Sequence, residues 1–150
     1  MKKILVTGGR GFLGGHLVDQ LKGAFSLLTP PKEVLDIENY EQLDSFLQEH
    51  NPDVIIHLAA VCGGIGANQG SPADFFIRNN LMGINVLKAS HSNGIKKLIT
   101  LGTVCSYPKF TPVPFKEEDI WSGYPEETNA PYGIAKKNLL VGCQAYHEQH

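Results

Sequence analysis

Apolar residues follow two rhythms along this chain. Short runs recur at Ile4-Leu5-Val6, Ala24-Phe25-Ser26-Leu27-Leu28, Val54-Ile55-Ile56-His57-Leu58-Ala59-Ala60 and Lys97-Leu98-Ile99-Thr100-Leu101. Runs of this length between turn residues predict short strands buried on both faces of a sheet. Elsewhere the apolar spacing opens to three and four residues, which predicts helices. One covers His16 to Lys22. A second covers Asn39 to His50, with Leu43, Phe46 and Leu47 on one face. A third starts at Ser71-Pro72-Ala73-Asp74 and reaches about Ser92. The last runs from Pro131 through Leu139, Leu140 and Cys143 to Tyr146. Strand and helix alternate, so the fold class is α/β with a doubly wound parallel sheet and helices on both faces.

The segments between these elements carry their own signals. Thr29-Pro30-Pro31-Lys32 is a loop, Asn51-Pro52 ends a helix, and Asn93-Gly94 closes another. Val61 to Gly70 reads as a loop of small residues after the third strand, on the side where doubly wound sheets bind ligands. Gly102 to Ala130 is long, irregular and rich in proline and acids, the kind of loop that carries function. No internal repeat is visible, and residues 1–150 read as one domain.

Composition narrows the function. A net charge of -2 without a basic run gives no footprint for nucleic acid. No apolar run is long enough to span a membrane, and Met1-Lys2-Lys3 enters a strand without a signal peptide's apolar segment. Three cysteines, Cys62, Cys105 and Cys143, lack metal-type spacing and predict no metal site and a reducing, cytoplasmic setting. The chain stops within or just after a helix without a terminating Gly or Asn, so it reads as the N-terminal part of something longer.

Two stretches carry chemistry. Thr7-Gly8-Gly9-Arg10-Gly11-Phe12-Leu13-Gly14 joins the first strand to the first helix. Gly8 permits a tight turn, Gly11 lets backbone approach a pyrophosphate, and Gly14 lets helix and strand pack closely. The helix N-terminus then favours phosphate. Downstream, Tyr132 and Lys136 stand four apart on one helical face, where an ammonium would lower a phenol's pKa for proton transfer to a carbonyl oxygen. A hydroxyl at the end of the fourth strand would orient that carbonyl; Thr103 has the place, with Ser106 as a rival. Cys105 reads either as a proton shuttle or as an inert buried thiol. His57, inside a buried strand, reads as a hydrogen-bonded core residue. No acid directly follows Leu28 to bind a ribose 2′-hydroxyl, which disfavours NAD.

Thr7-Gly8-x-x-Gly11-x-x-Gly14, His57-Leu58-Ala59-Ala60, Asn80-Leu81-x-Gly83 and Tyr132-x-x-x-Lys136 together resemble the extended short-chain dehydrogenase/reductases that act on nucleotide sugars. Gly63-Gly64-Ile65-x-Ala67-Asn68, Pro72-Ala73-Asp74-Phe75, Cys105-x-Tyr107-Pro108-Lys109 and the run Glu127 to Lys136 are similar to the branch that epimerises and reduces GDP-4-keto-6-deoxy-mannose. The resemblance implies a Rossmann fold, cut short before its substrate domain is complete. It implies NADPH as cofactor, with NAD possible, and a GDP-sugar substrate. C3 and C5 are epimerised through enolates, and the C4 ketone is then reduced by hydride. Tyr132 would donate the proton at C4. Lys136 would lower its pKa and hold the nicotinamide ribose. Thr103 would orient the carbonyl, and Cys105 would be the acid/base of epimerisation. The implied cofactor set is Gly8, Arg10, Gly11, Phe12, Leu13, Gly14, Asp36, Ile37, Leu58, Ala59 and Ala60, with Tyr132 and Lys136. Arg10 would meet the 2′-phosphate. The helices around 72–92 and 131–148 would form a homodimer face.

The sequence departs from that family in three places. Pro30 and Pro31 occupy the region of a second arginine, leaving Lys32 as a substitute point charge. Val104 replaces a serine. The family's histidine partner in epimerisation lies beyond residue 150. Two other readings stand beside the first: an NAD-dependent nucleotide-sugar 4-epimerase or 4,6-dehydratase, and a dinucleotide-binding fragment without catalysis.

Overall fold

Four parallel strands carry the fold. The computed structural model describes residues 1–150, with β1 (Lys3–Thr7), β2 (Ser26–Leu28), β3 (Val54–His57) and β4 (Lys97–Thr100) in the order β2-β1-β3-β4. Ile4 lies opposite Leu27 on one side and Val54 on the other; Ile55 lies opposite Leu98. From β1 the chain first builds outward to β2 and then returns to the other side for β3. The connections therefore part at the carboxyl ends of β1 and β3, where such sheets bind ligands.

Side chains alternate across the sheet. Ile4, Val6, Val54 and Ile56 cluster on one face, covered by Leu17 and Leu21 of α1 (Phe12–Leu21) and by Phe25, Leu27 and Leu58. Leu5 and Ile55 project to the opposite face and are fully buried. Each such side chain contributes about 1.5–3 kcal/mol by leaving water.

Every strand after β1 is shorter than its apolar run. Gly23, at φ 86°, turns the chain, so pairing with β1 begins only at Ser26 opposite Lys3. β3 stops at His57 because its partner β1 ends opposite it at Thr7, and Gly8 (φ 71°) then leaves the sheet. Leu58-Ala59-Ala60 thus lie beyond the ladder. β4 ends at Thr100, opposite His57.

The helices follow their local signals. Asn39 caps α2 (Tyr40–His50) by accepting the Gln42 N–H at 3.0 Å, and Leu43 and Leu47 are its buried face. A short helix, α3 (Ile65–Gly70), stands where a loop was expected. Its buried Asn68 donates from Nδ2 to the carbonyls of Gly63 at 3.0 Å and Gly64 at 3.1 Å, ordering a stretch that lacks apolar periodicity. α4 is Pro72–Ser92 and α5 is Ala130–Gln149. Two 3-10 turns, Val104–Ser106 and Glu117–Trp121, punctuate the long stretch before α5.

The chain divides into two compact units, residues 1–60 with 82–101 and residues 61–81 with 102–150. The first holds the whole sheet. The second holds α3, the first half of α4, the long loop and α5. No helix is long and apolar enough to cross a membrane.

Candidate active site

In the first unit the glycine turn is packed backbone against backbone. A Cβ on Gly8 would fall 2.7 Å from the Ala59 nitrogen and 2.9 Å from its Cα. A Cβ on Gly14 would overlap the Gly8 carbonyl oxygen. The Gly11 N–H closes the turn on the Gly8 carbonyl at 2.9 Å, and Gly11 is the N-cap of α1. No side chain caps that helix, so its first-turn N–H groups have no side-chain acceptor. Arg10, Phe12 and Leu13 are exposed, and Arg10 makes no ion pair.

Thr7 and His57 tie the strand ends on either side of this turn. Thr7 Oγ1 and His57 Nδ1 share a buried hydrogen bond of 2.8 Å, and the Ala59 N–H donates to Thr7 Oγ1 at 3.4 Å. His57 is therefore the bonded core residue the sequence indicated. Ile37 is buried and its carbonyl accepts from Asn85 Nδ2 at 3.0 Å, while Asp36 Oδ1 accepts the Glu38 N–H at 3.0 Å. Lys32 does not stand free as a substitute for the second arginine. Its ammonium lies 3.0 Å from the Glu38 carboxylate and 3.5 Å from Asp36. Two nearby carboxylates hold it.

The second unit gathers Thr103, Cys105, Tyr132 and Lys136. Thr103 Oγ1 accepts the Cys105 N–H at 3.2 Å and caps the turn Val104–Ser106. This turn abuts α5 at Gly133, where a Cβ would overlap the Cys105 carbonyl oxygen. Ser106 is bolted to the same place, its buried Oγ donating to the Gly133 carbonyl at 2.9 Å. That contact engages the Ser106 hydroxyl, whereas the nearby Thr103 hydroxyl favours the ionised form of the Tyr132 phenol. Phe75 meets Tyr132 edge-on, with ring centroids 6.4 Å apart.

Tyr132 and Lys136 share a face, and burial dominates the titration of both. Burial pushes the Tyr132 phenol up, helped by the Cys62 and Cys105 thiols and opposed by the Thr103 hydrogen bond. The Lys136 ammonium lies 5.9 Å from the Tyr132 ring centroid. Lys136 is pushed down by its own burial, with Cys62 opposing. Tyr132 is thus held protonated, the form that donates.

Three participants escaped the sequence reading: Cys62, Phe75 and Asn79. Asn79 is buried inside α4 and clamps both backbone groups of Val61, accepting its N–H at 3.0 Å and donating to its carbonyl at 2.9 Å. Asparagine within an apolar helical repeat was the available signal, because it weakens a helix unless its side chain is used.

A parallel sheet turned at a glycine fingerprint, with a hydroxyl, a phenol and a lysine on the segments that follow, defines the short-chain dehydrogenase/reductase class. The chain belongs to the NAD dependent epimerase/dehydratase family, whose profile matches residues 4–150. It is 37% identical over 150 residues to a GDP-L-fucose synthase of Sinorhizobium fredii, covering 99% of this chain and 48% of that protein. It is 38% identical over 143 residues to a GDP-L-colitose synthase of Yersinia pseudotuberculosis, covering 95% and 46%. Among solved structures it superposes on a GDP-mannoheptose C4 reductase of Campylobacter jejuni with NADP bound. The TM-score is 0.93 at 30% identity, covering 99% of this chain and 48% of that one. The chain thus spans about half the length of the relatives it matches.

Proposed function

We propose that residues 1–150 form the NADP(H)-binding domain, with part of the catalytic machinery, of a nucleotide-sugar epimerase/reductase that converts GDP-4-keto-6-deoxy-mannose to GDP-L-fucose. One observation carries this reading: Thr103, Cys105, Tyr132 and Lys136 are assembled in one unit, where the turn Val104–Ser106 abuts α5 at Gly133. The names of the relatives, GDP-L-fucose synthase and GDP-L-colitose synthase, support a GDP-sugar substrate.

The residues present fit a dinucleotide. Gly8 and Gly14 let the turn pack tightly on Ala59 and on itself, and α1 has no side chain at its cap to compete with a phosphate. Gly8, Gly11, Phe12, Leu13 and Gly14 would hold the pyrophosphate, and Arg10 would pair with a 2′-phosphate as a bidentate donor. Asp36, Ile37 and Leu58 to Ala60 would line the adenosine and ribose side. When bound, the cofactor supplies the hydride for the C4 ketone. Thr103 orients the ketone oxygen, and Tyr132 gives it a proton as charge develops there. Lys136 supplies the positive charge that steadies the phenolate left behind. Cys105, a free and half-buried thiol, moves protons at C3 and C5.

The free thiols suit a reducing, cytoplasmic setting. Phe76, Ile77 and Leu81 on α4, with Leu140 and Val141 on α5, remain exposed and would cover one another in a homodimer.

The test is Cys105→Ser in an active protein that carries this chain, following deuterium uptake from heavy water into the sugar beside NADPH oxidation. A serine hydroxyl is far less acidic than a thiol, so exchange should fall by far more than oxidation. Equal slowing of both would make Cys105 a packing residue. No exchange even in the wild type would favour a plain C4 reductase, the activity named for the Campylobacter relative.

A further inference from the structure

Asn85 is a polar side chain inside α4 that the reaction proposed above does not use. It is only 6% exposed, and Val86 and Leu87 beside it are buried too. Its part of the helix belongs to the unit that holds the sheet. Asparagine weakens a helix interior unless its side chain is engaged. Here Nδ2 donates to two successive carbonyls far away in sequence, that of Ile37 at 3.0 Å and that of Glu38 at 2.9 Å. A primary amide carries two N–H donors on one nitrogen, which suits two adjacent carbonyls, and it has no charge to bury.

The segment that Asn85 holds is shaped by its own neighbours. The Glu38 N–H donates to Asp36 Oδ1 at 3.0 Å, and the Asn39 N–H donates to the Asp36 carbonyl at 3.0 Å. Gln42 Oε1 accepts the Asp36 N–H at 2.6 Å. These contacts are local, so they set the shape of the segment and not its place on the fold. The buried side chains of Leu35 and Ile37 and the amide of Asn85 set its place. α2, which follows, has fastenings of its own. Leu43 and Leu47 are buried, Asn93 Nδ2 donates to Asp44 Oδ1 at 2.7 Å, and the Lys88 ammonium stands 4.0 Å from the Tyr40 ring centroid. Asn85 is therefore spent on the segment before the helix.

The place of that segment gives the tie a use. The chain leaves β2 alongside the glycine turn, since a Cβ on Gly9 would come 3.0 Å from Thr29 Cγ2. It then passes through residues 36–38 into α2. This connection starts at the carboxyl end of β2, where the adenosine of a dinucleotide lies in such sheets. We propose that Asn85 is a positioning residue for the cofactor, its amide setting the Asp36–Glu38 segment against the adenosine end of NADP(H). It acts through the two carbonyls and does not itself touch the ligand. The role rests on the reading of this chain as an NADP(H)-binding domain.

Asn85→Leu keeps the size of the side chain and removes both donors. In the 150-residue chain it should weaken NADPH and its adenosine fragment 2′,5′-ADP by the same factor, about tenfold. It also leaves two buried carbonyls without a donor, so Tm should fall by about 5 °C. Val86→Ala, a cavity at the next position of the same helix, should also lower Tm. Measured well below both melting points, it should leave both affinities within about twofold, because the segment keeps its tie. Equal losses of affinity in the two variants, or none in Asn85→Leu, overturn the role of Asn85. Amide hydrogen exchange supplies the second readout. In the wild type, exchange over residues 36–39 should slow when 2′,5′-ADP binds, and in saturated Asn85→Leu it should stay faster. A wild type that binds NADPH without slowing exchange there overturns the role and leaves the NADP(H)-binding reading standing. A wild type that binds no NADPH overturns both. Should Asn85→Leu fail to fold, Asn85→Ser, which keeps one donor, is judged by the same outcomes.

Discussion

Between β1 and α1 the chain makes its glycine turn from backbone and from neighbours in sequence. Gly8 turns at positive φ, Gly11 closes on Gly8, and Gly14 packs on the same peptide. Around Tyr132 the means are different. Residues 61–64, 75–79, 103–106 and 132–136 are brought together by side chains: Asn79 on Val61, Ser106 on Gly133, Phe75 on Tyr132. A cradle built of backbone tolerates changes of side chain and fails when a glycine gains a methyl. A cluster built of side chains has chemistry that each substitution can reach. The two regions also lie in different units.

The largest effect should come from Tyr132→Phe in an active protein that carries this chain. Loss of the proton donor should lower turnover by roughly 10²–10⁴-fold. The glycine cradle does not use the phenol, so NADP(H) affinity should stay within about twofold. Stopped-flow reduction and calorimetric binding measure the two separately. A matched fall in both would mean that the regions do not divide binding from chemistry.

Glycine substitutions sharpen the contrast next. Gly14→Ala drives a Cβ into the Gly8 carbonyl, and Gly133→Ala drives one into the Cys105 carbonyl. Neither neighbour is a flexible side-chain end. Both variants should lose stability at or beyond the upper end of the ~1–3 kcal/mol usual for overpacking. They should differ in the ligand. Gly14→Ala should lose NADP(H) binding, and Gly133→Ala should keep it. Urea unfolding with and without cofactor distinguishes them. Cofactor stabilisation of Gly14→Ala equal to the wild type would remove the turn from the binding site.

The same contrast explains what was legible in the sequence. The glycine turn and the strand-helix order announce themselves locally, because each depends on residues within a few positions. His57 was legible because a histidine inside a β-branched run must find a partner, and Thr7 supplies it. The strand ends were not, since β3 stops where β1 stops, a fact that belongs to the partner. α3 was hidden because its order comes from one asparagine side chain holding two carbonyls. The Tyr132–Lys136 face was visible from spacing, but its charge balance was not. Burial decides it, and burial is tertiary. Lys32 read as a substitute point charge because the return of Glu38 and Asp36 onto it is set by the loop's fold.

Arg10→Ala asks whether the backbone cradle has any side-chain component. Losing a charge-assisted contact to a 2′-phosphate should cost about 1.5–3 kcal/mol, roughly 10- to 150-fold in NADPH affinity. NADH, which lacks that phosphate, should lose little. Parallel titrations of both cofactors provide the comparison. Equal losses for the two would take Arg10 off the 2′-phosphate and make the cradle wholly backbone.

The smallest effect tests whether surface charge holds the side-chain-built region together. Lys109 Nζ lies 2.7 Å from Glu127 Oε2, linking two parts of the long loop before α5. The hydrogen bond from Lys109 holds the Glu127 carboxyl below its ordinary range, and the same bond holds the Lys109 ammonium above its own. A depressed carboxylate stabilises above its unfolded pKa and loses that contribution as pH falls through the folded value. A raised lysine stabilises below its unfolded pKa and loses the contribution as pH rises through the folded value. The pair therefore contributes across neutral pH and fades at both extremes. Both groups are exposed, so solvent and salt screen them. Lys109→Ala should lower Tm by no more than about 2 °C at pH 7. Added salt should shrink that difference, and it should vanish once Glu127 is protonated. A larger, salt-resistant difference that survives at low pH would mean that Lys109 holds the loop by packing its aliphatic stem. Side-chain contact would then extend from the buried asparagines to the surface of this unit.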